Sequence, residues 1–152
     1  MLVYRIAKTE YIHDLSGTGA KVYGGRWSKK GIGIIYTSEN RALATVEYLV
    51  HVPLSLFPGN ISIATLKIPD GIAPKEISIS GLPANWRNYP APLELAEIGT
   101  RWALANDTLL LRVPSAVVEH EWNILINPSH PDMKHVSISK TERFSLDARL
   151  LR

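Results

Sequence analysis

Three side chains in the stretch "YGGRWSKKGIGIIYTSENRALATVEYLVH", residues 23–51, are of types that bind anions or stabilise charge. Arg26 follows two glycines, and a guanidinium in such a turn can clamp a phosphate or a carboxylate through two parallel hydrogen bonds. Tyr36 ends a short apolar strand, and Glu47 lies on the helix expected after it. Because ligand clefts are often bordered by strand ends and loops, a turn, a strand end and a helix could present these three groups to one ligand.

Glu47 is the most informative of the three, because it shares a helical stripe with Leu43, Val46 and Val50. A carboxylate on such a stripe loses hydration, which is costly unless the group is paired or lines a cleft. The spacing alone leaves two interpretations open. Glu47 is either one half of a structural salt bridge or a pocket carboxylate that stabilises charge or transfers protons.

Other residues give weaker signals. Ser115, in "RVPSAVV", follows a proline, and the absence of a G-x-S-x-G elbow argues against a serine hydrolase. A serine that hydrogen-bonds a ligand, or one that simply ends a strand, fits better. The five histidines show no H-x-x-x-H or H-E-x-x-H spacing and there is no cysteine, so we expect no metal site. "SGTGAK" lacks the spacing of a Walker phosphate loop.

The composition is that of a globular protein, with 45% hydrophobic and 20% charged residues in 152 residues. This length suits a single domain over residues 1–152. A net charge of +3 favours an anionic ligand but is too small to indicate nucleic acid. The chain has no cysteine, no signal-peptide pattern and no apolar run of about 18 residues, so we expect a soluble, cytoplasmic protein without a membrane span.

Apolar patterning predicts an α+β domain with few helices. We expect a loop through "HDLSGTGAKVYGG", and the first helix begins after Ser38 as N-cap. Pro114 and Pro128 predict edge strands or bulges, and the end of the chain predicts strands around a turn near residues 140–142. The predicted strands are "MLVYRIA", "GIIYTS", "NISIATLKIP", "DTLLLRVPSAVV" and "EWNILINP", and the predicted helices are residues 39–51 and "LELAEIGTRWALAN".

Taken together, these segments resemble the RES-domain toxins, a family named for an arginine, a glutamate and a serine. The opening stretch resembles the first signature of the family. The later blocks follow in the same order over nearly the whole chain: "LPANWR", "IGTRW", "LLLRVPSAVVEHEWNILINPSHPD" and "FSLDARLL". Thr100 departs from the pattern, which has an acidic residue at that position. The resemblance implies one RES domain over residues 1–152, with an ADP-ribosyltransferase-like fold of small mixed β-sheets flanking an NAD cleft.

The resemblance also implies an activity and a set of site residues. RES toxins cleave NAD⁺ at the nicotinamide–ribose bond, which makes NAD⁺ the substrate with no further cofactor or metal. Arg26, Glu47 and Ser115 match the namesake residues, and Tyr36 matches the tyrosine that accompanies them. We expect further substrate contacts from family positions Tyr23 and Asn127, and from Trp27, whose ring could stack on a flat group. Water, phosphate or a protein side chain could each be the acceptor.

The implied partners are an Xre-type DNA-binding antitoxin that occludes the cleft and a second copy of the chain in a homodimer, without direct contact to nucleic acid. Two rival classes stay open from the residues themselves. One is a ribonuclease toxin that would use Arg26, Glu47, Tyr36 and a histidine such as His51. The other is a non-catalytic interaction module in which Glu47 merely pairs with Arg26.

Overall fold

A computed structural model describes residues 1–53 and 59–151. Its described part contains seven strands in one sheet, in the order β4-β5-β6-β2-β1-β3-β7. All neighbouring strands are antiparallel except β4 and β5, which run parallel. The strands are β1 (Leu2–Lys8), β2 (Ile35–Ser38), β3 (Ile61–Lys67), β4 (Lys75–Glu76), β5 (Leu110–Pro114), β6 (Trp122–Ile126) and β7 (Ser137–Arg143).

Three α-helices accompany the sheet in the described residues: α1 (Thr18–Tyr23), α2 (Arg41–His51) and α3 (Leu93–Ala105). Short 3₁₀ helices lie at Thr9–Tyr11, Ile79–Gly81, Pro131–His135 and Ala148–Leu151. The mixed α+β class with few helices is therefore confirmed, and the strands form one continuous sheet. The helix α1 lies inside the segment expected to be a loop, because Gly19 within it and the glycines that cap it, Gly17 and Gly24, obscured a helix of only six residues.

The central strands bury side chains on both faces of the sheet. Leu110, Ile124 and Ile126 enter one apolar cluster, whereas Leu111 and Leu125 enter a second one beneath α3. Successive side chains of a strand point to opposite faces. A strand buried on both sides therefore reads as a largely apolar run, which only Arg112 interrupts in β5 and only Asn123 interrupts in β6.

The prolines do not mark edge strands, and that prediction is wrong. The strand β5 lies between β4 and β6, and β6 lies between β5 and β2. Pro114 is the last residue of β5, and Pro128 follows the end of β6, so neither occupies a position where an interior ladder needs its N–H. The end of the chain is also different from the prediction. Instead of two strands around a turn, β7 runs unbroken through residues 140–142 and pairs with β3.

The N-cap of α2 is Asn40 rather than Ser38. The Asn40 Oδ1 atom accepts a hydrogen bond of 2.7 Å from the Leu43 N–H. Ser38 instead belongs to β2, and its Oγ donates to Asn123 Oδ1 on β6 at 2.7 Å. The predicted apolar stripe of α2 is also incomplete, since Leu43 is buried but Val50 is 55% exposed.

Gly99 lets α3 approach the segment that carries Arg26 and Trp27. A Cβ atom at position 99 would lie 1.7 Å from the Trp27 carbonyl oxygen, which is far closer than van der Waals contact allows. One residue further along, Thr100 Oγ1 accepts a 3.0 Å hydrogen bond from the Lys29 N–H. The threonine at this unusual position thus fastens α3 to the same segment.

We expect Gly99→Ala to lower the free energy of unfolding by about 2 kcal/mol or more, because overpacking against backbone forces α3 or the Trp27 segment to move. Gly19→Ala is the matched control. It also lies in a helix but has nothing within 4 Å of its added methyl, so it should be neutral or stabilising by about 0.5–1 kcal/mol. Urea unfolding of both variants measures this, and equal stability would contradict the packing argument.

Candidate active site

A cleft of about 680 Å³ opens where β2 and α2 meet the turn before Trp27 and the loop around Arg87. Both apolar and polar side chains line it. The polar and charged ones that matter below are Arg5, Arg26, Tyr36, Glu47, Arg87 and Asn123. The sequence prediction that Arg26, Tyr36 and Glu47 face one spot therefore agrees with the geometry.

Glu47 is held by two neutral donors. Its Oε1 accepts a 2.7 Å hydrogen bond from Ser115 Oγ and another of 2.7 Å from Asn123 Nδ2. Within the described residues, Oε2 accepts no hydrogen bond and no ion pair joins Glu47 to Arg26. Hydrogen bonds to a charged group are among the stronger ones, so the pair fixes one oxygen and leaves the other available to the cleft.

Ser115 lies behind Glu47 and not on the cleft wall. Its side chain is 2% exposed, and its Oγ accepts hydrogen bonds from the N–H groups of Val117 and Val118 at 3.1 and 3.0 Å. With both acceptor positions used, the hydroxyl proton points to Glu47. The turn that follows β5 is therefore what orients the carboxylate.

Asn123 completes this arrangement, and sequence reasoning missed it. It faces Ser38 across the β2–β6 ladder, and the Ser38 hydroxyl donates to its amide oxygen while its amide nitrogen donates to Glu47. The only signal in the sequence was a polar residue inside the apolar run "EWNILI". Nothing in that run says which residue it meets.

Tyr36 is packed against the turn that delivers Arg26. Its hydroxyl accepts a 3.2 Å hydrogen bond from the Trp27 N–H and shares a 2.8 Å hydrogen bond with Ser28 Oγ. Gly25 permits this contact, because a Cβ atom there would lie 2.5 Å from the hydroxyl oxygen. Burial raises the pKa of Tyr36 to about 12, so the phenol stays neutral over the whole physiological range.

We expect the Tyr36 phenol to make stability depend on alkaline pH. Its folded pKa lies above the unfolded value, so its contribution is present below about pH 10 and is lost as pH rises toward 12. This loss amounts to about 3 kcal/mol, and Tyr36→Phe should remove it from the pH profile of the unfolding free energy. Tyr11→Phe, an exposed tyrosine, is the matched control. Identical profiles for wild type and Tyr36→Phe would contradict the assignment.

Arg26 holds a loop as well as facing the cleft. Its Nη1 donates to the carbonyl oxygens of Trp86 and Asn88 at 2.8 and 3.1 Å. Burial lowers the pKa of the guanidinium, and the neighbouring Glu47 and Tyr36 act in the opposite direction. The arginine thus fixes the backbone on both sides of Arg87.

We expect Arg26→Gln to free this loop and expose the Arg87–Asn88 bond to trypsin. Losing two charge-assisted hydrogen bonds should speed that cleavage at least about tenfold under native conditions. Mass spectrometry identifies the cut, and adding Arg87→Gln should abolish the fragment. Arg101→Gln, an exposed arginine on α3, is the control. An unchanged cleavage rate in Arg26→Gln would show that Arg26 does not hold the loop.

Of the three residues predicted to contact the substrate, Trp27 is buried in the cleft wall, and Tyr23 and Asn127 lie outside the cleft. Trp27 lines the cleft but is only 2% exposed. Tyr23 is 81% exposed, and Asn127 is buried with its Nδ2 donating to Ala103 O and Asn106 Oδ1, where it caps the end of α3. Neither Tyr23 nor Asn127 is among the described residues that line the cleft, and their contact with a ligand stays a prediction.

The described residues contain no group of three or more His, Cys, Asp and Glu residues placed to hold a metal ion. None of their helices combines the length and apolar character needed to cross a bilayer.

The fold is similar to that of a protein in a solved toxin-antitoxin complex. A chain of the M. tuberculosis MbcT-MbcA toxin-antitoxin complex superposes with a TM-score of 0.73, covering 99% of this chain and 86% of that one. The two sequences are 16% identical, so the likeness establishes the fold. The two proteins therefore share one mixed α+β fold.

The chain belongs to the RES domain family, which matches residues 2–147. The "Prs ADP-ribosylating toxin" of Sphingobium sp. (strain YBL2) is 40% identical over 96% of this chain and 92% of its own. "Toxin Res" of Photorhabdus laumondii is 35% identical over 100% and 98%, and "Toxin Res" of Yersinia enterocolitica is 35% identical over 99% of each. The resemblance seen in the sequence is confirmed, and the chain is a homologue of RES toxins.

Proposed function

We propose that this chain is the toxin of a toxin–antitoxin pair and that it cleaves NAD⁺ at the nicotinamide–ribose bond. One observation carries the proposal. Glu47 presents a carboxylate to a cleft of about 680 Å³, with Oε1 fixed by two donors and Oε2 left for a ligand. Such a fixed charge suits a reaction whose transition state develops positive charge. The toxin names of the RES relatives support the biological role.

Cleavage of this bond needs little help at the leaving group. The C1′–N bond breaks with its electron pair going to the pyridinium nitrogen, and nicotinamide departs uncharged. The ribose then carries oxocarbenium-like positive charge. Glu47 Oε2 stabilises that charge or accepts a hydrogen bond from a ribose hydroxyl, and Ser115 and Asn123 keep Oε2 in place.

Tyr36 and Trp27 supply the flat, apolar part of the cleft. The Tyr36 phenol stays neutral because burial raises its pKa to about 12, so it does not act as a base. Its role is to pack against the nicotinamide or its ribose. The cleft then works by orientation and charge stabilisation.

The acceptor distinguishes two versions of the proposal. Capture of the ribosyl cation by water or phosphate destroys NAD⁺ by hydrolysis or phosphorolysis. Capture by a protein side chain is ADP-ribosylation, which the 40% identity to the "Prs ADP-ribosylating toxin" favours as the second candidate. In either case we expect an Xre-type antitoxin to block the cleft and the chain to form a homodimer within that complex.

We expect Glu47→Gln to reduce nicotinamide release from NAD⁺ by about 10²–10³-fold, because a neutral amide no longer stabilises the ribosyl cation. Chromatography follows nicotinamide with and without phosphate. Glu97→Gln is the matched control, since it neutralises an exposed carboxylate on α3 away from the cleft. Turnover of Glu47→Gln within about threefold of wild type would overturn the proposed role.

The same assay separates the acceptors. Release that requires phosphate indicates phosphorolysis, and release without it indicates hydrolysis. If nicotinamide appears only after a cell lysate is added, and labelled ADP-ribose becomes attached to a protein, the second candidate is correct. If the wild type releases none under any condition, NAD⁺ cleavage is wrong.

A further inference from the structure

Three arginines line the cleft within the described residues: Arg5, Arg26 and Arg87. Two of them are committed to backbone carbonyls. Arg5 Nη1 donates to Ile12 O and Asp14 O at 3.2 and 2.8 Å, and Arg26 Nη1 donates to the loop around Arg87. A ligand that used either guanidinium through Nη1 would have to replace these bonds.

Arg87 differs from Arg5 and Arg26 because it has a carboxylate partner in addition to a backbone carbonyl. Its Nη1 pairs with Glu119 Oε1 at 2.8 Å, and its Nε donates to Ala116 O at 3.2 Å. The two charged side chains are 40% and 68% exposed. An ion pair this exposed contributes little to stability, so a better-placed anion can displace the carboxylate.

The surroundings of Arg87 place it at the cleft and close to the Glu47 supports. Arg26 holds the carbonyls of Trp86 and Asn88, the residues on either side of Arg87. Ala116, which accepts from Arg87, lines the cleft and directly follows Ser115. The position of this guanidinium is therefore set relative to the carboxylate.

We propose that Arg87 binds the diphosphate of the dinucleotide, and that Arg26 is a positioning residue that holds the loop carrying it. The inference rests on the proposed function and names the residue that recognises the anionic part of the substrate. A planar guanidinium matches phosphate oxygens through two parallel hydrogen bonds. When no ligand is bound, the Glu119 carboxylate forms the ion pair with Arg87, and it competes with the diphosphate for the guanidinium.

The test measures binding separately from cleavage. Calorimetry with ADP as the diphosphate probe and adenosine as its uncharged counterpart compares wild type with Arg87→Gln, Glu119→Gln and the control Arg101→Gln. We expect Arg87→Gln to raise the Kd for ADP by about tenfold or more, and to leave the Kd for adenosine unchanged. Glu119→Gln should lower the Kd for ADP by about two- to fivefold, because the competing carboxylate is gone. Arg101→Gln should bind like wild type.

Kinetics with NAD⁺ gives a second readout. Arg87→Gln should raise KM by about tenfold with kcat within about twofold, since the diphosphate is bound equally in the ground and transition states. Arg87→Lys should recover part of the affinity. A thermal melt checks that each variant is folded, and Glu119→Gln tests the idea by an increase in affinity, which misfolding cannot imitate.

The outcomes separate this inference from the proposed function. If ADP binds through Arg87 but NAD⁺ is not cleaved, Arg87 recognises a diphosphate in a protein of another activity, and only the cleavage proposal falls. If NAD⁺ is cleaved while Arg87→Gln binds ADP and turns over like wild type, the role of Arg87 is overturned and cleavage stands. Failure of the wild type to bind ADP overturns the role of Arg87 as well.

Discussion

The partly buried charge of Glu47 is the constraint around which the cleft is built. A carboxylate removed from water needs hydrogen-bond donors, and here they come from Ser115, after β5, and from Asn123, on β6. Asn123 is in turn held by Ser38 at the end of β2. One charged group on α2 thereby joins three adjacent strands of the sheet. The donors are neutral, so they orient the charge without neutralising it.

Apolar patterning was enough to predict most of the elements. The runs that became β1, β2, β3, β5 and β6 are rich in β-branched and aliphatic residues, and α2 and α3 follow the helical period. The errors came where local chemistry was ambiguous. Ser38 and Asn40 are both good N-caps, and the extension of β2 through Ser38 decided between them. Prolines at strand ends looked like edge signals because the neighbouring strands were not known.

For the site too, one part could be predicted from the sequence and another could not. Arg26, Tyr36, Glu47 and Ser115 could be named from the sequence because long blocks resembled one family. The partners of these residues could not be. Ser115 was expected either to contact a ligand or simply to end a strand, and nothing in its own stretch of sequence indicated that its hydroxyl proton points to Glu47. The sheet register, which pairs Ser38 with Asn123, is a tertiary property that no single stretch of sequence contains.

The contact between Gly99 and Trp27 has a consequence for how the helix is seated. A shift of α3 by one residue would bring Ile98 or Thr100 against the Trp27 carbonyl, and the Cβ atom of either residue would clash with it. Only the register that places Gly99 there fits against the Trp27 segment. The Trp27 segment also carries Arg26, so the same register supports the backbone from which the guanidinium extends to the cleft. The helix α3 contributes no residue to the cleft wall, and yet its packing helps to position a side chain that does line the cleft.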